Sequence, residues 1–154
     1  YHYCYTLTSS KLLDTLNILV ATAFFTFFGA TMAVSDDASK SNVGAFVYII
    51  SPLDGATVTS PVTIQFGLEG MGVAPAGVEK SGTGHHHLIV DAPLPALNEP
   101  IPADGNHRHF GGGQTQTTIE LAPGTHSLQL LLADHYHIPH NPPVHSNIVT
   151  IEVR

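Results

Sequence analysis

Thiols are nearly absent from this chain: its 154 residues contain one cysteine, Cys4, which precedes a long apolar run. An internal disulfide is therefore excluded, and so is a metal site built on several thiolates. Basic residues are also scarce, with five Lys and Arg against twelve Asp and Glu and a formal charge of −7. Such a surface repels phosphate backbones, and no Lys/Arg cluster offsets it, so nucleic acid is not an expected partner. There is no tryptophan. The loops offer only Phe110 and Tyr136 as aromatic platforms, which is thin support for sugar or envelope-polymer binding. Charged residues make up only 11%, whereas Gly and Pro are frequent at 14 and 11. This composition describes a turn-rich globular chain rather than a disordered polyelectrolyte.

The apolar run "TLNILVATAFFTFFGATMA" (15–33) follows Lys11 and ends in small residues, with Thr31 and Ala33 at the −3 and −1 positions of a cleavage site. It reads as a secretory signal peptide over 1–33. The alternative is an uncleaved membrane anchor, because the run is nearly long enough to span a bilayer. Export to a periplasm or the extracellular space is the expectation. Residues 34–44, containing "SDDASKSN", read as a flexible lead-in, and 45–154 as a single domain. Cys4 would be lost with the signal segment, and it does not occupy the position of a lipid-modified cysteine.

From residue 46 onward, short strand-like runs alternate with turn signals. "FVYIISP" closes on a Pro-Leu-Asp-Gly turn, and "PVTIQFGLEG" puts Val62, Ile64, Phe66 and Leu68 on one face and Thr63 and Gln65 on the other. "HHHLIVDAP", "QTQTTIEL", "HSLQLLLAD" and "NIVTIEVR" add four more strands, and a seventh is expected near 55–60 or within 94–106. Even spacing of short strands predicts an all-β, immunoglobulin/fibronectin III-like antiparallel β-sandwich of about seven strands.

What the chain has in abundance is histidine, eleven in all. Three clusters stand out: His85–His87, then His107 and His109, then His135, His137, His140 and His145. With consecutive strands antiparallel, the start of the strand at 85, the segment before 114 and the exit of the strand at 134 all fall at the same pole. His126, just past the opposite turn, does not. On an extended backbone residues i and i+2 share a face, so His85 with His87, His107 with His109, and His135 with His137 can each aim two imidazoles at one point. The other phase, with His86 alone facing the site, stays open because "LIV" is apolar on both sides. The candidate metal ligands are His85, His87, His107, His109, His135, His137 and His140. Asp134 is a further ligand or an orienting carboxylate, and Gly111–Gly113 would let the backbone pass close to a crowded site.

The donor set selects the ion class. Imidazoles with an occasional carboxylate suit copper(II) or zinc, copper ranking first by affinity order, whereas a chain with Met71 as its one mature thioether does not suit Cu(I) and nitrogen donors do not suit calcium.

The segments "FGLEGMGVAPAG", "GTGHHHLIVD" and "HRHFGGGQTQTTIELAPGTHSLQLLLADHYHIPHNPPVHS" resemble domain of unknown function 4399, a family of small bacterial exported proteins, over about residues 62–154. The resemblance implies a domain type and export, and no chemistry.

The sequence thus favours an exported metal-binding module, a carrier, buffer or sensor whose partner is the ion itself. Two alternatives remain: a non-metal envelope interaction domain whose His-rich loops are held by hydrogen bonds, and a metal-dependent enzyme. No HExxH, GxSxG or Ser/His/Asp arrangement points to catalysis, and a membrane would be met only through an uncleaved N-terminal segment.

Overall fold

A computed structural model describes residues 38–154; the signal-segment reading of 1–33 and the first part of the lead-in lie outside the described residues. Among the described residues, no helix is long and apolar enough to cross a membrane. Nine strands are found there: β1 Phe46–Ser51, β2 Thr57–Val58, β3 Val62–Glu69, β4 Gly72–Val73, β5 Thr83–Val90, β6 His107–His109, β7 Gln116–Ile119, β8 Gly124–Ala133 and β9 Val149–Val153. All six long runs read from the sequence form strands. The seventh expected near 55–60 is β2, and β4 and β6 are additional short ones.

The strands form two sheets. One has the order β1-β3-β7, and the other runs β2-β9-β8-β5-β4, with β6 also paired to β5. The long pairings are antiparallel, while the two-residue strands β2 and β4 pair parallel with β9 and β5. The second sheet is therefore mixed at its margins. The arrangement is that of an immunoglobulin-like sandwich in which β6 has joined the sheet of β5, β8 and β9.

Alternation puts the core between the sheets. Val62, Ile64 and Phe66 of β3 meet Leu88, Val90, Leu128, Leu130 and Leu132 of the second sheet, closed by Ile119, Ile151 and Val153. Each large aliphatic side chain buried here contributes about 1.5–3 kcal/mol through removal of apolar surface from water. Unlike β3, the central strands β5 and β8 are buried on both faces. Their outer face carries a second small core of Ile89, Ile101, Leu131 and Ala133, with Ala92 and Leu94 packed against it. The proline-rich connection after β5 supplies Ile101, Ala92 and Leu94, so this loop roofs the sheet.

Residues 38–42, read as part of a flexible lead-in, are tied to the domain. Ser41 N–H donates to Asn141 O at 3.3 Å, Asn141 N–H donates to Ser39 O at 3.0 Å, and Ser39 Oγ donates to Asp134 Oδ2 at 2.9 Å.

At the other end of β8, His126 has both ring nitrogens against acceptors: Nδ1 donates to Asp91 Oδ2 at 2.6 Å and Nε2 donates to Ala122 O at 2.8 Å. Only the imidazolium carries two donors, and the Asp91 hydrogen bond raises the His126 pKa above its ordinary 6.5. A raised folded-state pKa gives stability that is complete below 6.5 and is lost as pH rises through the raised value. Asp91→Asn should therefore lower the melting temperature at mildly acidic pH and leave it nearly unchanged at alkaline pH, as thermal melts across that range would read.

Candidate metal centre

Beta alternation places His85, His87 and Ile89 on the outer face of β5, continuing the row of the second small core. In the β5–β6 register His87 lies opposite His109 and Ile89 opposite His107, which brings His107 and His109 onto the same face. The turn after β8 folds back over this face and adds His137. The rings of His85, His87, His109 and His137 consequently pack against one another. Centroid separations are 4.8 Å for His85–His87, 5.0 Å for His85–His109 and for His85–His137, 5.1 Å for His87–His109, 4.7 Å for His109–His137 and 6.0 Å for His87–His137. The three clusters of the sequence do meet. They meet on the outer face of the larger sheet rather than among the loops at a pole.

Other histidines go elsewhere. His86 points into the sandwich and packs on Phe66 with centroids 5.2 Å apart, so the i, i+2 phase with His85 and His87 outward is the one adopted. The expected candidates His135 and His140 stand outside the packed rings. His135 stacks on Tyr136 with centroids 4.0 Å apart. His140 is buried, with Nε2 donating to Thr83 O at 3.1 Å. It lies over Gly84, where a Cβ would come within 2.7 Å of its Cε1 and 2.6 Å of Ala133 O. His140 thus closes the end of the inner core. His145 Nδ1 pairs with Ser146 O at 3.1 Å. Asp134 touches no ring nitrogen: its Oδ1 accepts the N–H groups of Tyr136 at 2.9 Å and Ile138 at 3.1 Å, and its Oδ2 accepts from Ser39. It shapes the turn that carries His137.

That turn holds His137 at φ +67, a left-handed conformation that costs a non-glycine residue on the order of 1–2 kcal/mol. Three backbone hydrogen bonds hold the turn there. His137 N–H donates to Asp134 O, Asp134 N–H to Ile138 O, and Ile101 N–H to His137 O, each at 2.9 Å. Backbone strain held this firmly is a feature of built sites.

Burial sets the electrostatics. His85 is 1% exposed and His87 2% exposed, whereas His109 is exposed and His137 half-buried. Loss of hydration, followed by repulsion from His137 and His109, pushes the His85 pKa down to about 4, against a smaller upward pull from Asp134. Burial and then repulsion from His85, His109, His137 and His107 push His87 down to about 2. His109 is lowered as well, by burial first and then by His137. The rings whose pKa values are lowered in this way are neutral at neutral pH and carry free lone pairs. Both ring nitrogens of His85 and Nδ1 of His87 are buried with no hydrogen-bond partner, a state that costs about 1–3 kcal/mol per group.

The ring nitrogens offered by His85, His109 and His137 lie within 4.8 Å of one another. A tetrahedral ion bound at about 2.0–2.1 Å needs donors about 3.4 Å apart, so small ring rotations bring the three onto one cation. The donors converge, and His85 among them is desolvated. One wall is buried and the other faces solvent, which gives an ion a way in. Gly111 fits under His109, and a Cβ there would collide with His109 Cε1 and Nε2. Gly111→Ala should therefore displace that ring and weaken metal binding by about tenfold or more while the melting temperature of the metal-free protein changes little. Calorimetric titration beside a thermal melt would read both.

Sequence reasoning missed Asp104, whose Oδ1 meets His107 Nδ1 at 2.8 Å. The signal was present in "ADGNH", where an Asp three residues before a histidine can turn back on it.

No curated protein and no solved structure matches the chain. The family model described as Domain of unknown function (DUF4399) matches residues 64–154, a span running from β3 to the last residue and holding every ring of the cluster. With that much of its length matched, from the core strand β3 through the histidine face to β9, the chain belongs to the DUF4399 family.

Proposed function

We propose that this protein binds a late first-row divalent cation, Cu(II) or Zn(II), through His85, His109 and His137, and serves as a carrier, buffer or sensor of that ion in an exported compartment. The observation that carries the reading is the convergence of imidazoles from β5, β6 and the turn after β8, with both buried ring nitrogens of His85 left without a protein partner. Hydrogen-bonded loop histidines would have partners. These rings pack against one another, and a cation satisfies several lone pairs at a single point. Three protein nitrogens and no thiolate suit copper or zinc, with a solvent molecule as a further donor.

The test is calorimetric titration of the untagged, chelator-stripped protein with Cu(II) and Zn(II) at neutral and at strongly acidic pH. Tight, saturable binding that vanishes in acid supports the reading, because protonated imidazole cannot coordinate. Affinity no better than that of a loose histidine peptide would overturn it.

A further inference from the structure

Two more unpartnered ring nitrogens lie beside the triad without belonging to it. His87 Nδ1 and His107 Nε2 are buried and lack hydrogen-bond partners. Neither ring is in the group whose nitrogens lie within 4.8 Å of one another. The pairings His87↔His109 and Ile89↔His107 make His87 and His107 diagonal neighbours on one face of the sheet, a separation that long side chains reach across.

His107 is held in a particular form. Its side chain is only 10% exposed, and its Nδ1 donates to Asp104 Oδ1 at 2.8 Å. The same carboxylate oxygen accepts the backbone N–H groups of Asn106 and His107 at 2.9 Å each. A carboxylate oxygen can only accept, so the neutral ring keeps its proton on Nδ1 and its lone pair on the buried Nε2. A carboxylate behind the outer nitrogen, fixing the tautomer and raising the basicity of the inner one, is the arrangement that supports metal-ligating histidines.

We propose that His87 and His107, the latter backed by Asp104, form a second cation subsite next to the triad, for a second divalent ion of the same imidazole-seeking class. This inference rests on the metal-binding reading of the triad. Two protein donors leave the other coordination positions to water, and the first ion repels the second. The second step is therefore the weaker one, and the more readily exchanged.

The test is Zn(II) titration of the full chain, with bound zinc measured after equilibrium dialysis. The expected result is two ions per wild-type chain, the second binding at least about tenfold more weakly. His107→Phe should bind one ion, with the tighter step intact. Asp104 is exposed, so Asp104→Asn should preserve the fold and weaken only the second step, by about 10–100-fold as for other supporting carboxylates. That variant carries the test if His107→Phe misfolds. A wild-type protein that binds one ion, with the same affinity in Asp104→Asn, would overturn the second subsite in favour of a water bridging the two lone pairs and leave the triad standing. A wild-type protein that binds none would overturn both.

Discussion

Replacing His85 and His137 together with alanine should reduce Cu(II) and Zn(II) affinity by well over about a hundredfold, more than the loss of a supporting residue behind a ligand costs. The two rings come from opposite sides of the site, one from the buried face of β5 and the other from the turn after β8. Without them, the exposed His109 is the last of the three triad donors. The fold should survive the change. His137 sits on a half-buried turn, and removing His85 also removes two buried nitrogens that have no partner. The metal-free double variant should accordingly melt close to the wild type, since deleting an unsatisfied polar group relieves part of the cost of the cavity left behind. His140→Ala should give the reverse pattern. Affinity for the ion should be retained, while the melting temperature falls through loss of the Nε2–H bond to Thr83 O and of the packing over Gly84. Side-by-side calorimetry and thermal melts distinguish the two. If the His85/His137 double variant kept wild-type affinity, the triad would not be the site.

Acid should destabilise the metal-free protein steeply. His85 is held near 4 and His87 near 2, against an ordinary value of 6.5, and His86, buried against Phe66, is also lowered to about 4. Depressed folded-state values mean that the unfolded chain takes up protons first as pH falls. The stability held by the neutral rings is complete above 6.5 and is lost progressively below it, through about 4 for His85 and His86 and further down for His87. Each pH unit over which one ring charges only in the unfolded chain costs about 1.4 kcal/mol, so several rings acting together make this the dominant acid response. Denaturant titrations at a series of pH values should show the decline, and His87→Phe should flatten it. Saturating Zn(II) should move the decline to lower pH, because protons must first displace the ion. A stability profile that stayed level from pH 6.5 down to about 4 would mean that these rings are hydrated and ordinary in solution.

The core strand β3 was legible because Val62, Ile64 and Phe66 alternate with Thr63 and Gln65, and a two-residue period needs no tertiary information to interpret. β5 and β8 were legible as strands, but their sidedness was not. "HHHLIV" and "LQLLLA" do not alternate in polarity, which is how a strand buried on both faces reads. That pattern was the available sign that something covers the outer face, yet it could not say that the 94–106 connection and the turn after β8 would do so. The spacing of His85 with His87 and of His107 with His109 was enough to pair them, whereas the roles of His135 and His137 depended on a single left-handed residue that no period announces.

The sequence by itself determined the strand runs, the sandwich, the acidic and thiol-poor character that rules out an internal disulfide, and the gathering of histidine-bearing segments at one end of β5 and β8. Those follow from local alternation, composition and the direction in which antiparallel strands must run. Only the tertiary structure decided which rings face one another. The β5–β6 register sets His109 opposite His87, Asp134 and Ser39 fold the turn that turns His137 inward and leaves His135 outside, and Gly84 admits His140 to the inner core instead of the site. Register and loop closure depend on partners far apart in the chain, and a one-residue shift in either would send a different set of imidazoles to the same face.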